Sequence, residues 1–286
     1  MSIMARCWAL FLALVVGTWN GQWFPSGRAE HRASEQVEQA TIRAAGQMLR
    51  DGLAAVDPSG SEDVVLCLNE IRNLKVAKAL CSEIGRTNLS VACITAYRRR
   101  DRFDQQQDVI MTTLPVAKAN WSVWKRHKDA IPPRGYARAD VIVSPSVTAT
   151  VYAVHLKSNY GQTTDAMAEA NRIKRAHAIE QLVQQEKPRR GKSRPPVIVA
   201  GDFNADRFSP SFQKDTVFQS LAQAGFSDAF EGVPFEGRVT HPGRGRFSGG
   251  TLDYIYVRGC SVEASPKVVP ALGISDHDAV FARVAF

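Results

Sequence analysis

Carboxylates, amides and histidines occur in this 286-residue chain in short clusters, each at the end of an apolar run or inside one. The clusters are Trp19-Asn20, Asn69-Glu70, His155-Leu156-Lys157-Ser158, Gly201-Asp202-Phe203-Asn204-Ala205-Asp206 and Ser275-Asp276-His277. Carboxylate and amide oxygens are the ligands a hard cation prefers, and histidine exchanges a proton near neutral pH. Together these types suit metal-assisted phosphate chemistry, which needs a Lewis acid, an activated water and help for the leaving oxygen. Asp253 is a different signal. Flanked by Leu252, Tyr254, Ile255 and Tyr256, it must be desolvated unless paired, and a histidine or a metal ion is its natural partner.

Each cluster alone has an ordinary structural reading. Asn-Glu after a strand commonly starts a turn or a helix, Gly-Asp-Phe-Asn makes a good Asx-turn, and one histidine is more often structural than catalytic. The weight lies in their order, and in the elements that must carry them. The apolar run Cys7–Gly17 reads as a first strand ending near Trp19-Asn20. A helix is expected from Ser34 to about Ala55, with Ser34 as N-cap and Val37, Thr41, Ala44, Ala45, Met48 and Leu49 on one face. Val64–Leu68 reads as a buried strand carrying Asn69-Glu70 at its end, and a helix follows over 74–84. Strands are expected at 90–97, 108–113, 116–124, 139–144 and 148–155, then a helix over 165–186. Val197–Ala200 forms a strand running into the 201–206 cluster. A short helix over 216–224 and strands at 251–257 and 279–284 complete the chain. Strands and helices mix without strict alternation, which favours an α+β sandwich of two sheets with helices outside. No internal repeat or long linker divides it, so residues 1–286 read as a single domain.

Composition is that of an ordinary globular protein, 44% hydrophobic. The formal net charge is +8, from 36 Lys and Arg against 28 Asp and Glu. Such a surplus attracts polyanions, although a purely solubilising role fits equally well. Cys7, Cys67, Cys81, Cys93 and Cys260 include no C-x-x-C pair, which argues against a zinc ribbon or thioredoxin-type site. The apolar run at 7–17 is also the size of a signal-peptide h-region and too short to span a membrane. The compartment, cytoplasmic or exported, stays open.

In their order and spacing these clusters resemble the endonuclease/exonuclease/phosphatase family, the DNase I-like phosphoesterases. The resemblance runs from Thr18 to Phe286. It is carried most specifically by residues 201–206, by Ser275-Asp276-His277 and by Leu252-Asp253-Tyr254-Ile255, with Thr18-Trp19-Asn20, Leu68-Asn69-Glu70 and His155 in support. It implies a four-layer α/β/β/α sandwich of two mixed sheets flanked by helices. It also implies a monomer with no protein partner and a divalent cation: Mg²⁺, with Mn²⁺ or Ca²⁺ as alternatives. Glu70 would be the main metal ligand, with Asn20 and Asp276 close to the ion. His277 would be the general base, oriented by Asp253. Asp202 would position the nucleophile or protonate the leaving oxygen, Asn204 would donate to the phosphoryl oxygen, and His155 would bind the phosphate from the other side. The chain departs from many relatives at Asn69, where they carry Gln, at Gln22, where some carry an acid, and at Ala153, where many carry Asn. Retention of residues 7–17 follows as an expectation, because cleavage after Gly17 would remove the strand that presents Asn20. An exported form would then need a longer precursor or a start upstream of Met1.

Family resemblance does not choose the substrate, since nucleases, inositol-phosphate phosphatases and sphingomyelinases share it. The basic balance favours nucleic acid as substrate. So do Arg98, Arg99, Arg100 and Arg102 in one loop, Arg244 and Arg246 before the Asp253 strand, and Lys157 beside His155; the basic loop at 187–196 reads as an exposed solvated loop, with a phosphate-backbone contact as its alternative. Trp23, Trp121 and Trp124 could supply stacking surface, although core packing is the default for any one aromatic. The alternative is a lipid or small-molecule phosphoesterase, for which a long apolar insertion hairpin is missing from the sequence. A non-catalytic binding protein is the third reading, and the presence of Glu70, Asp202 and His277 weighs against it.

Overall fold

The computed structural model describes residues 12–26, 33–97, 106–126, 130–161, 163–187, 194–243 and 249–286. The expected basic positions Arg98, Arg99, Arg100, Arg102, Arg189, Arg190, Lys192, Arg244 and Arg246, and the start of the apolar run at 7–11, lie outside them.

Two mixed sheets pack face to face. In the first, the order is β11 (Ser261–Val262), β13 (Ala279–Ala285), β1 (Ala13–Phe24), β2 (Asp63–Ile71), β4 (Gln107–Thr112) and β3 (Ser90–Ile94), with β12 (Lys267–Val269) also on β13. In the second it is β5 (Val116–Val123), β6 (Gly135–Ser144), β7 (Val147–His155), β8 (Val197–Asp202), β10 (Asp253–Arg258) and β9 (Ser227–Asp228). Helices α1 (Glu35–Val56) and α2 (Leu74–Ile84) cover the outside of the first sheet, and α3 (Asp165–Gln185) and α4 (Val217–Gln223) that of the second. The result is the four-layer sandwich.

Period-two packing explains why the central strands read as continuous apolar runs. In β2, Val65 and Cys67 face the other sheet, whereas Val64, Leu66 and Leu68 face the helices. Likewise β13 sends Val280, Ala282 and Val284 inward and Ala279 and Phe281 outward. A strand buried on both faces needs no polar alternation.

Helix α1 begins where expected, with the Ser34 hydroxyl accepting from Val37 N. Its buried face is rotated from the expected one. Ile42, Ala45, Met48, Leu49 and Leu53 are inside, whereas Val37 and Ala44 are exposed. Glycine decides this. Gly46 and Gly52 lie against Glu83 and the Phe281 ring so closely that a Cβ at either would collide. The helix therefore docks through its smallest residues, which a hydrophobic-periodicity reading underweights.

The expected strand ending at Trp19-Asn20 is β1. Its central residues Leu14, Val15 and Val16 are buried, and it runs parallel to β2 and antiparallel to β13. The other parallel pair is β7 with β8. Each sheet thus contains one parallel pair, and the carboxyl ends of both pairs meet at one edge of the sandwich. No described helix is long and apolar enough to cross a membrane. The four described cysteines are free thiols. Of the tryptophans that could stack or pack, Trp124 packs: it is 4% exposed and lies on Tyr136 in the core, so it offers no stacking surface. Trp121 is partly exposed on edge strand β5, against Tyr97.

Candidate active site

Strand register assembles the site. At the ends of β1 and β2, Asn20 pairs with Asn69, and at the ends of β7 and β8, His155 pairs with Asp202. Asp253, the first residue of β10, is opposite Asp202. Close approach is built into Gly201, whose φ of 146° favours glycine and whose Cβ would strike the Val154 carbonyl oxygen. A side chain there would push apart the strands that set His155 beside Asp202.

Amides then clamp one sheet to the other. Asn20 Nδ2 donates to Asp202 Oδ2 at 2.8 Å. Asn69 accepts from Asp202 N at 3.0 Å and donates to Asp108 Oδ1 at 2.7 Å. Asn69, a departure from the family pattern at the sequence level, is therefore an inter-sheet bridge.

Where the β1–β2 register breaks, between Asn20 and Phe24, the backbone enters the left-handed region at Gln22, Trp23 and Glu70, with φ of 47°, 58° and 60°. Asn204 and Arg134 do the same, at 51° and 63°. Such conformations cost energy in residues other than glycine and cluster where a site constrains the chain. Here they have specific effects. The turn at 22–23 lets Trp23 N donate to Glu70 Oε2 at 2.9 Å and Gln22 Nε2 donate to Asp276 Oδ2 at 2.7 Å. Gln22 thus holds a neighbouring carboxylate in place where some relatives carry one of their own. Asn204, in an Asx-like turn, donates from its side chain to Asp202 Oδ2 at 2.8 Å and to the Leu156 carbonyl at 3.2 Å.

Histidine 277 sits at the centre. Its Nδ1 lies 2.7 Å from Asp253 Oδ2, which also accepts from the Thr240 hydroxyl at 2.9 Å. Its Nε2 is 4.0 Å from both Asp202 Oδ2 and Asp276 Oδ1. The backbone is pinned from two sides: Trp19 Nε1 donates to the His277 carbonyl, and Ser275 Oγ accepts from His277 N while donating to the Asn20 carbonyl. The His241 ring packs edge-on, 5.0 Å away between centroids. Facing this assembly, His155 Nε2 lies 3.4 Å from Asp202 Oδ2 and 3.7 Å from Glu70 Oε1.

The electrostatics are those of a site crowded with buried carboxylates. Burial pushes Asp202 up to about 6, against the pull of the His277 charge. Burial also raises Glu70, even though the Arg134 guanidinium pulls it down. Burial opposes a charge on His277, but Asp253 and Asp202 override it and raise the imidazole. His155 is driven well below the usual histidine range by burial and by Arg134. Among the described residues, Asp253 Oδ1 and His155 Nδ1 are buried without a hydrogen-bond partner.

The oxygen-rich donor set fits a hard divalent cation, and uncompensated buried carboxylates are what such an ion relieves. Among the described residues, ligand atoms of Asp202, Asp253 and His277 all lie within 4.8 Å of one another. There, however, Asp253 Oδ2 and His277 Nδ1 already bond each other, so two ligand atoms are committed. Among the described residues Glu70 Oε1 carries no such bond, and its side chain is 11% exposed.

All eight residues singled out in the sequence (Asn20, Glu70, His155, Asp202, Asn204, Asp253, Asp276 and His277) are brought together by these contacts. Sequence reasoning missed Asp108, Arg134, Thr240 and His241. Asp108 offers the same signal as Asp253, an acid heading an apolar strand; it is fully buried, and burial lifts it to about 7 while Asn69 and Tyr97 donate to it. Arg134 carries no comparable signal. Its guanidinium binds the carbonyls of His155 and Leu156 only because the loop before β6 turns back over the end of β7. Asn204, His241, Gln22 and Asp276 open onto a long cleft that continues past Arg238 and Phe208 on one side and Tyr160 on the other.

The model of the family described as Endonuclease/Exonuclease/phosphatase family matches residues 17–277. No curated protein matches the chain in sequence. Solved structures similar to it include an endonuclease/exonuclease/phosphatase family protein from Leptotrichia buccalis C-1013-b, at 14% identity and TM-score 0.60, covering 96% of this chain and 100% of that one. D. rerio TDP2 complexed with single strand DNA product is similar at 16% identity and TM-score 0.61, covering 95% and 98%. Beta toxin from Staphylococcus aureus is similar at 14% identity and TM-score 0.59, covering 94% and 99%. At these identities the likeness is one of fold.

Proposed function

The chain belongs to the endonuclease/exonuclease/phosphatase family, and on that premise we propose that it is a divalent-metal-dependent phosphodiesterase that cleaves nucleic acid. The observation that carries the reading is the Asp253–His277 pair, closed at 2.7 Å, with His277 Nε2 and His155 Nε2 both near Asp202 Oδ2 and Glu70 beside His155.

Glu70 would hold the cation, Mg²⁺ or alternatively Mn²⁺ or Ca²⁺, and Asn20 and Asp276 would contribute ligands directly or through water. When bound, the cation supplies Lewis-acid polarisation of a phosphoryl oxygen. The side chains do the rest. Asp253 accepts the Nδ1 proton of His277 and so leaves Nε2, near Asp202 Oδ2 and Asp276 Oδ1, as the nitrogen for proton transfer. In the neutral imidazole, the form a nearby divalent cation would favour, that nitrogen takes a proton from the attacking water. Asp202, near both His277 Nε2 and His155 Nε2, positions the water or returns a proton to the leaving oxygen. Asn204 Nδ2 turns from Asp202 to a phosphoryl oxygen, and His155 meets the phosphate from the opposite side.

Nucleic acid as substrate is supported by the net charge of +8 and by the complex of TDP2 with single strand DNA product, which shows what that protein of the same fold binds. A second reading, a lipid phosphodiester, has one feature in its favour. Tyr160, 94% exposed, and Leu272, 86% exposed, stand on the rim of the cleft as apolar contacts.

Plasmid nicking with Mg²⁺, beside Glu70→Ala and His277→Ala, tests the proposal. Nicking by the wild-type chain and loss in both variants is the expected result. Equal nicking by all three would trace the activity to a contaminant. Hydrolysis of phospholipid vesicles without nicking would replace the nuclease reading with the lipid one.

A further inference from the structure

One wall of the cleft carries a stack of alternating cations and rings that the proposed hydrolytic chemistry does not use. The Arg238 guanidinium lies 3.5 Å from the centroid of the Phe208 ring and 5.4 Å from that of Phe235. Arg207 covers Phe208 as well, at 4.9 Å. The two arginines differ in what else they touch. Arg207 is committed to carboxylates, with Asp228 Oδ2 at 2.7 Å and Glu231 Oε2 at 3.4 Å. Arg238 has no carboxylate within ion-pair distance among the described residues, and its one side-chain hydrogen bond runs from a terminal nitrogen to Thr251 Oγ1 at 3.2 Å. A guanidinium has five donors. Arg238 is therefore a held, uncompensated cation with donors to spare, facing the same cleft as Asn204 and Asp276. Beside it Phe235 is 47% exposed, so a flat ring surface is open to solvent.

The position is tied to the reacting groups. The Arg238 carbonyl accepts from Thr251 Oγ1, and two residues on, Thr240 Oγ1 donates to Asp253 Oδ2. The next residue, His241, packs on His277. The stack thus sits on the segment that orients the proposed base, a short distance along the cleft from it.

Resting on the phosphodiesterase reading, we propose that Arg238, Phe208 and Phe235 form a subsite for the nucleotide next to the scissile bond. Arg238 takes the neighbouring phosphate and Phe235 stacks an unpaired base. A guanidinium pinned on a ring recognises phosphate with little loss of freedom on binding, and an exposed ring accepts any base face. The ligand class is single-stranded nucleic acid of two or more nucleotides, because a paired base has no free face for Phe235.

The test compares two substrates in the full chain with Mg²⁺: a short single-stranded oligonucleotide, as DNA and as RNA, and thymidine 5′-(p-nitrophenyl phosphate), which has no second phosphate. Phe235→Ala, at an exposed position, and Arg238→Gln should each lower kcat/KM on the oligonucleotide by about tenfold and leave the nitrophenyl ester within about twofold. In a Glu70→Ala background, Arg238→Gln should lower the slope of log K against log salt for oligonucleotide binding by about 0.7. Arg238→Lys should restore the slope but not the full affinity. Equal losses on both substrates would overturn the subsite, because Arg238 would then act only through Thr240 and Asp253. Unchanged oligonucleotide kinetics, or equal preference for duplex, would overturn it while the phosphodiesterase reading stands. Hydrolysis of phosphomonoesters alone would remove that reading and the subsite with it.

Discussion

Two buried polar clusters flank the same cleft and solve opposite problems. Around Arg175, which is 2% exposed, every group is matched. Its guanidinium donates to Asp215 Oδ2 at 2.8 Å, to the Lys157 carbonyl at 2.8 Å and to Asn159 Oδ1 at 2.8 Å. One side chain on α3 thereby ties down the loop after β7 and the turn before α4. Around His277 the matching fails. Glu70, Asp202 and Asp253 are buried close together, the nearby imidazoles of His277 and His155 carry at most one charge each, and Asp253 Oδ1 and His155 Nδ1 have no partner among the described residues. A satisfied buried network specifies structure, whereas a partly satisfied one is costly and is retained for another reason. The first cluster fixes the loop after β7 and the turn before α4 on α3, and the second is where chemistry is proposed to occur.

Substitutions can break or sharpen that contrast. The largest effect is expected on activity at the unmatched cluster. Asp253→Asn keeps the shape but removes the acceptor that orients His277, and should lower kcat by about 10²–10⁴-fold in a nicking assay, with melting temperature nearly unchanged. A kcat within a few-fold of wild type would show that His277 needs no orienting acid. Next, Arg175→Met should cost about 3–5 kcal/mol in urea unfolding, because Asp215 is left as a lone buried charge. A loss below about 1 kcal/mol would put the two clusters in the same class.

Smaller and opposite in sign is the expected effect of Glu70→Gln. The amide can still accept from Trp23 N, and it removes a charge buried near Asp202. With EDTA present, the melting temperature should rise by about 2–4 °C. Added Mg²⁺ should stabilise the wild type and not the variant. Destabilisation in EDTA would mean that Glu70 is a structural residue like Arg175.

The smallest effect tests a carboxylate of the matched kind far from the cleft. Partial burial pushes Asp57 up, but hydrogen bonds from Ser59 Oγ, Glu62 N and Arg86 override it and bring it down to about 2. A folded value below the unfolded one stabilises the fold above the unfolded pKa, about 3.9, and that contribution disappears as pH falls through the folded value. Wild type should therefore exceed Asp57→Asn in stability by on the order of 1 kcal/mol at pH 5. The gap should close between about pH 4 and pH 2. A gap independent of pH would trace the effect to the hydrogen-bond geometry, not the charge.

The helices and central strands were legible because their signals are local. The expected helix over 74–84 is α2 to the residue, and 165–186 differs from α3 by one. Legibility fell where a partner far along the chain decides. The face of α1 turned on Phe281, and Trp124 was drawn into the core by Tyr136 on a different strand. The short pairings β9, β11 and β12 span two or three residues and carry no periodicity to detect.

The sequence by itself determined the inventory and its order: acids, amides and histidines at the ends of apolar runs, from Asn20 to His277. Residue type sets what each group can donate, accept or ligate, and a strand end places it at a sheet edge. Only the tertiary structure decided which groups meet. Asn69 bridges to Asp202 from another sheet, Arg134 reaches the His155 carbonyl, and, among the described residues, Arg238 is left without a carboxylate while Arg207 has two. Those outcomes depend on register, on the left-handed turns at Gln22, Trp23 and Glu70, and on distances across about 20 to 260 residues of chain, which no local pattern encodes.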